Sequence, residues 1–425
     1  MTTIYARSSG SLPAAIAVLR ISGPKAGAAL SALTDYAMPA ARHAAVRTLR
    51  RPRDGEILDR ALVLWMPRPA TATGEDIVEL HLHGGRAVVA AVEDALAAVP
   101  GIRAAEAGEF TRRAFANGRL DATEVEGLAD LLAAETESQR AAAVAMAGGA
   151  LRRLIASWQA RLLQLAARCE AEIDFDDEDD VRAESSPALA SEAHALAAEL
   201  RHRLDQPPAE RLRDGVRVVI AGPANAGKST LLNALVGRDA AIVSSVAGTT
   251  RDVIEVPLVI EGVPVILIDT AGLRDSGDEI ELQGIARANA VIAESDLTLW
   301  LGVPAERPSE GNVIAVMAKA DLLADPAGDV QVSALTGQGV AALLAMIASW
   351  ARELLPVHEA VPLSRRHRDL LSQAATELEA STHSPDPVLI AEHLRLARLA
   401  FDQVTGMADT EAMLDQLFGR FCIGK

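Results

Sequence analysis

The stretch GPANAGKST, Gly222–Thr230, lies between an apolar run, VRVVIA at 216–221, and a helix-forming segment, STLLNALVG at 229–237. Its spacing is G-x-x-x-x-G-K-[ST], and between a strand and a helix that spacing has a mechanism. The glycines let successive backbone N–H groups point at one place, the helix N-terminus adds its dipole, Lys228 brings a charge and Ser229 a magnesium ligand. The ligand such a loop fits is a nucleotide polyphosphate. Further apolar runs follow: VPVILIDTAG at 263–272, LTLWLG at 297–302 and NVIAVMAKAD at 312–321, with helical segments between. That alternation predicts a doubly wound α/β domain around the loop.

Two companions narrow the chemistry. DTAG, Asp269–Gly272, ends an apolar strand, where Asp269 can organise magnesium and the Gly272 amide can meet a γ-phosphate. AGTTRD, at 247–252, offers the hydroxyls of Thr249 and Thr250 to complete a magnesium shell. Together these point to a switch-type nucleoside triphosphatase. Ras-like enzymes orient the attacking water with a Gln after the DTAG position; here Leu273 stands there and cannot do so. Asp278, Glu279 and Glu281 are the alternatives, set against a plain reading as solvated loop charges. No arginine finger is obvious beyond Arg251 and Arg274, but the Asn225 side-chain carbonyl could hold a monovalent cation against the phosphates.

Base selectivity turns on VMAKAD, at 316–321. A guanine-reading loop is normally Asn-Lys-x-Asp, whose Asp accepts from guanine N1–H and the 2-amino group. Its Asn contacts N7 and ties the loop to the phosphate loop. This chain has Ala318, Lys319, Ala320 and Asp321. Losing the Asn should cost about 0.5–1.5 kcal/mol, one ordinary hydrogen bond, while Asp321 keeps the discrimination. Lys319 can cover the base with its stem. VSALTG, at 332–337, places Ser333 and Ala334 where a backbone amide meets guanine O6. GTP is therefore expected over ATP.

The rest of the 425 residues bound the setting. Half are apolar but only 3% aromatic, so the cores should be built from Ala, Leu, Val and Ile, largely in helices. Net charge of −17 argues against a surface that wraps nucleic acid by counterion release. Two distant cysteines, no apolar signal core and no membrane-length run lead to the expectation of a soluble cytoplasmic protein. Residues 1–118 read as an α+β domain and 119–212 as helical-bundle sequence. The acidic run at 174–180 reads as a solvated helix end or loop. QPPAERLRDG at 206–215 reads as a linker, 213–361 as the α/β domain and 362–425 as helices again. Helices on both sides suggest an α/β domain inserted into a helical one.

The stretches GPANAGKST, AIVSSVAGTTRDV, DTAGLRDSGDEIELQGI, GEFTRRAFANGRLDATEVEGLADL, GEDIVELHLHGG and FGRFCIGK closely resemble the tRNA modification GTPase MnmE (TrmE) family. The resemblance runs from about Ala15 to Lys425. It implies an N-terminal tetrahydrofolate-binding and dimerisation domain, a helical domain, and an inserted Ras-like P-loop GTPase domain. It also implies an activity shared with an FAD-containing partner, MnmG (GidA). Together they add an aminomethyl or carboxymethylaminomethyl group at C5 of the wobble uridine of certain tRNAs, with the one-carbon unit from methylene-tetrahydrofolate.

Mapped by the resemblance, GTP contacts fall on Asn225, Ala226, Gly227, Lys228, Ser229 and Thr230. They continue through Ser244, Ser245, Val246, Ala247, Gly248, Thr249 and Thr250, and Asp269, Thr270, Ala271 and Gly272. Magnesium falls on Ser229 and Thr250, potassium on Asn225, Ser244, Val246 and Thr249, and the water-orienting acid on Glu281. Folate contacts map to Arg20, Glu79, Arg119 and Lys425; Cys422, by default a buried small hydrophobe, is placed near them. Arg119 stands where the family usually has Lys, and SSGSLPAA at 8–15 lacks the family's Gly-rich form. A homodimer is implied, and the acidic balance suggests that the partner supplies much of the tRNA surface. The competing reading, a ribosome-assembly GTPase switch, would need an RNA-binding appendage such as a KH module, and no GXXG loop stands in such a context.

Overall fold

The computed structural model describes residues 2–174, 179–223, 225–237, 254–270, 290–309, 311–322, 329–356, 361–406, 415, 417–419 and 421–425, without the side chains of 174–186 and 254. The chain divides into two compact units, one of Met1–Ala129, Leu151–Ala156 and Asp402–Lys425, the other of Asp130–Ala150 and Ser157–Phe401.

The first unit is built on β1 (Thr3–Arg7), β2 (Ile16–Ser22), β3 (Ala44–Arg50), β4 (Ile57–Met66), β5 (Ile77–His83) and β6 (Ile102–Ala104), in the order β3-β4-β5-β2-β1-β6. Period-two alternation assigns the faces. Ala17, Leu19 and Ile21 of β2 and Val78, Leu80 and Leu82 of β5 enter the core beneath α1 (Ala26–Leu33) and α2 (Arg86–Ala97). Arg20 and Glu79 are thereby turned to the other face, and the antiparallel register sets them directly opposite each other.

The helix α3 (Glu109–Ala116) is fixed by ion pairs with little exposure. Arg113 donates to Glu75 at 3.0 Å and to Glu109 at 2.8 Å, and Arg103 forks onto Glu109 at 2.7 and 2.8 Å. The terminal FCIGK segment returns to this unit. Ser8 Oγ donates to the Gly424 carbonyl at 3.0 Å, and Ile423 bridges Ala107. Gly424, at φ +98°, has no room for a side chain, since a Cβ there would lie 2.0 Å from the Arg7 carbonyl oxygen.

In the helical sequence, α4 (Ala122–Ala133), α5 (Glu137–Ala147), α6 (Ala150–Asp174) and α7 (Asp179–Leu204) follow one another. The run read as a linker contains a further helical turn, α8 (Ala209–Arg213). Pro207 and Pro208 stop the preceding helix, but Pro208 is extended at the N-cap of the next, where no backbone N–H is needed, and Glu210 in the first turn and Arg211 and Arg213 in the last complement its dipole.

The α/β sheet has the order β12-β11-β10-β7-β9-β8. Its strands are β7 (Val216–Ala221), β8 (Ile254–Ile260), β9 (Val263–Asp269), β10 (Leu297–Trp300), β11 (Val313–Ala318) and β12 (Val330–Val332). All neighbours are parallel except β8 and β9. The helices α9 (Lys228–Val236) and α10 (Val340–Leu354) bury Leu231, Leu235, Leu343 and Ile347 with Val218, Ile220, Leu267 and Leu299. Two further helices follow, α11 (Arg365–His383), with a capping box between Ser364 and His367, and α12 (Pro387–Val404). Arg201 of α7 clamps Glu379 of α11 at 2.9 and 2.8 Å, and Trp158 stacks on Phe401. Among the described residues no helix is long and apolar enough to cross a membrane.

Burial pushes the Glu109 carboxyl up, but hydrogen bonds from Arg103, the Glu106 amide and Arg113 outweigh it and hold the pKa at about 2. A folded-state pKa below the unfolded one stabilises above the unfolded value, and that stability is lost as pH falls through the folded one. Glu109→Gln is expected to cost on the order of 2 kcal/mol at neutral pH. In urea unfolding the deficit should shrink as pH drops from about 4.5 toward about 2. A variant as stable as the parent at pH 7 contradicts this.

Candidate functional site

Parallel pairing brings the C-terminal ends of β7, β9, β11 and β12 to one edge of the sheet, where an open α/β fold binds its ligands. From β7 the chain leaves through Gly222 and reaches α9 through Asn225 at φ +60° and Gly227 at φ +99°. Asn is among the few side chains that tolerate such a conformation. Lys228 is nearly buried; its ammonium donates to the Gly222 and Pro223 carbonyls at 3.0 and 2.9 Å, inside the curve of the loop.

The β7–β9 register sets Ile220 beside Asp269. There the Ser229 hydroxyl donates to Asp269 Oδ2 at 2.7 Å, and Thr270 Oγ1 donates to the Ile220 carbonyl at 2.9 Å. An oxygen pair of this kind beside a phosphate loop suits a hard cation.

A cavity of about 290 Å³ opens next to the loop, lined by Gly227, Thr230, Leu231, Ala318, Lys319, Asp321, Leu322, Val332, Ser333, Ala334 and Leu335. All the base-reading residues expected from sequence meet on its wall. Ser333 is fully buried and shapes the loop: its Oγ accepts from the Thr336 amide at 3.2 Å and its carbonyl from the Gly337 amide at 2.8 Å. Lys319, at φ +58°, reaches back so that Nζ donates to the Asn225 carbonyl at 3.1 Å. Sequence reading passed over Leu322 and Leu335, which are 75% and 88% exposed at the cavity. Their only signal was an apolar residue directly after Asp321 and Ala334.

Of the remaining nucleotide-site assignments, Ser244, Ser245, Val246, Ala247, Gly248, Thr249, Thr250, Ala271, Gly272 and Glu281 lie outside the described residues, as do Arg251, Leu273, Arg274, Asp278 and Glu279.

In the other unit Arg20 Nε donates to Glu79 Oε1 at 2.9 Å, with Nη2 2.8 Å from the same oxygen. Arg119 is exposed, and Lys425 lies one residue beyond the docked Gly424. Among the described residues neither bonds to the Arg20–Glu79 pair. Cys422 is exposed, contrary to the default expectation for a cysteine; the docked terminal segment buries its neighbours Phe421 and Gly424 instead. His81, two positions along β5 and so on the face of Glu79, was also passed over. Its Nε2 is 3.6 Å from Glu79 Oε2, buried and without a hydrogen-bond partner.

Family models match both parts of the chain: "GTP-binding protein TrmE N-terminus" over residues 3–119 and "MnmE helical domain" over 123–422. The tRNA modification GTPase MnmE of Erythrobacter litoralis (strain HTCC2594) is 55% identical over all of this chain and all of its own length. That of Rhizorhabdus wittichii is also 55% identical, over all of this chain and 96% of its own. This chain belongs to the MnmE family. It is a GTPase of tRNA modification, with a TrmE N-terminal domain, an MnmE helical domain and a P-loop GTPase domain. Among solved structures, the G domain of the T. maritima iron transporter FeoB is 27% identical, covering 32% of this chain and 98% of that one, at a TM-score of 0.23.

Among the described lining residues of this cavity Asp321 is the one carboxylate, a chemistry that suits the N1–H and 2-amino group of guanine. Asp321→Asn should weaken GTP binding by about 1.5–3 kcal/mol and favour xanthosine triphosphate, whose C2 carbonyl accepts from the new amide. Competition binding with the two nucleotides checks this, and an unchanged preference contradicts it.

Proposed function

We propose that this chain is a potassium-activated GTPase that works with an FAD-dependent partner of the MnmG (GidA) kind. The pair installs an aminomethyl or carboxymethylaminomethyl group at C5 of the wobble uridine of certain tRNAs, using a tetrahydrofolate one-carbon unit. The observation that carries the nucleotide half is the convergence of Lys228, the Ser229–Asp269 pair and the Lys319-tethered base cavity at one sheet edge. The relatives that match from end to end are named for tRNA modification.

Hydrolysis joins a water to the γ-phosphorus as the bond to the β–γ bridging oxygen breaks, so the enzyme's task is to position groups and to stabilise charge. Backbone N–H groups of the loop and the Lys228 ammonium face the phosphates, and Glu281 orients the water. Magnesium suits Ser229 and Thr250, and potassium suits Asn225, Ser244, Val246 and Thr249; both cations, when bound, neutralise phosphate charge. The Asn225 side chain is exposed at the loop, open to such an ion.

On the first unit, Glu79 suits the amino-pyrimidine edge of a pterin. Arg20, Arg119 and Lys425 suit the anionic glutamate tail. Exposed Val46 and Leu62, paired across β3 and β4, support a homodimer through this domain. The domain limits we assign are 1–118 for the folate-binding part, 119–212 and 362–425 for the helical part, and 213–361 for the inserted GTPase. A cytoplasmic location agrees with the two unpaired thiols, Cys169 and Cys422. With a net charge of −17, most of the tRNA contact falls to the partner.

Steady-state GTP hydrolysis in potassium against sodium tests the cation site. Turnover should be about tenfold or more faster in potassium, an ordinary size for one electrostatic contact, and Asn225→Ala should erase the difference. Equal rates in the two salts sink the potassium reading. Loss of Glu281 to Ala should lower kcat about a hundredfold with little change in KM, and an unaffected kcat removes Glu281 from the mechanism.

A further inference from the structure

The asparagine of a guanine-reading loop has two jobs, a hydrogen bond to N7 and a tie to the phosphate loop. The structure separates them. The tie is present without the asparagine, because Lys319 Nζ donates to the Asn225 carbonyl at 3.1 Å. The N7 contact has no such replacement at position 318. Ala318 ends β11 beside Val332 of β12, and its methyl group packs with that of Ala226 against the domain core. At position 318 the cavity wall is therefore a methyl group with nothing to donate, while Asp321 supplies the acceptors for the Watson–Crick edge.

Other side-chain donors on the wall are few. Among the described lining residues they are Lys319, Thr230 and Ser333. The Lys319 ammonium is drawn to the Asn225 carbonyl, and Ser333 is fully buried in the turn it stabilises. Thr230 belongs to the first turn of α9, on the phosphate side. The faces of a bound base would meet the Lys319 stem and the exposed Leu322 and Leu335, contacts that do not distinguish one purine ring atom from another.

We propose that this cavity reads guanine along its Watson–Crick edge alone and is indifferent at N7, so that it takes 7-deazaguanine nucleotides as readily as guanine nucleotides. Ala318 is the residue that sets this specificity. The inference rests on the guanine-nucleotide site described above. In 7-deazaguanine a C–H replaces N7, with the ring shape, N1–H and 2-amino group unchanged, so the substitution probes that one acceptor.

The test is calorimetric binding of GDP and 7-deaza-GDP to the full chain and to its Ala318→Asn variant. The parent should bind the two within about twofold of each other. The variant should gain about two- to tenfold for GDP, the worth of one neutral hydrogen bond, and lose most of that gain with 7-deaza-GDP. A parent that binds 7-deaza-GDP fivefold or more weakly overturns the proposal, since another donor, Thr230 first, would then read N7. A variant that tightens both ligands equally overturns the role given to position 318. If Ala318→Asn does not fold, the comparison in the parent alone still decides. If neither nucleotide binds the parent, the guanine site itself falls and takes the inference with it.

Discussion

One bond between a lysine ammonium and a backbone carbonyl joins the two halves of the nucleotide site. The phosphate loop leaves β7 and the base loop leaves β11, with β10 between them. The sheet fixes the strand ends from which the two loops start, but not the course of the loops beyond them. Lys319 spans the gap to Asn225, and both residues adopt positive φ to make the bond. For residues other than glycine that backbone costs roughly 1 kcal/mol each, about what an exposed charge-assisted bond returns. The link therefore adds little net stability. It sets the geometry in which one ligand can engage Lys228 and Asp321 at once.

The first unit follows a different logic. Strand alternation places aliphatic side chains under the helices and leaves a polar pair, Arg20 and Glu79, on the opposite face. The pair is only partly exposed, at 24% and 16%, so its two charges satisfy each other at modest desolvation cost. A ligand that donates to Glu79 and offers an anion to Arg20 would replace that pairing with two of its own. The buried His81 nitrogen beside Glu79 adds a polar group to the same face. The docked C-terminal segment, with glycine where a Cβ would strike the Arg7 carbonyl, brings the chain end to this unit.

Much of this was legible in the sequence because the signals were local. The phosphate loop, the strand runs and the terminal FCIGK are each short, and their physical meaning depends on neighbours in the chain. Asp321, Ser333 and Ala334 stand out in the sequence as candidates for base reading, and the structure brings them to one cavity. What escaped depended on distant partners or on exposure. The Lys319–Asn225 bond joins residues 94 positions apart, and Leu322 and Leu335 look like ordinary core leucines until their exposure is seen. Cys422 reads as a buried small hydrophobe for the same reason. The helical turn α8 was hidden by prolines that both end one helix and start the next.

The central claim is that the site remains specific for guanine although Ala318 replaces the asparagine. The most direct measurement is kcat/KM for GTP and for ATP, side by side in potassium buffer with magnesium. The account predicts a GTP preference of at least about a hundredfold, because adenine offers Asp321 neither the N1–H nor the 2-amino group and leaves a carboxylate unpaired. Equal efficiency with the two nucleotides would contradict it.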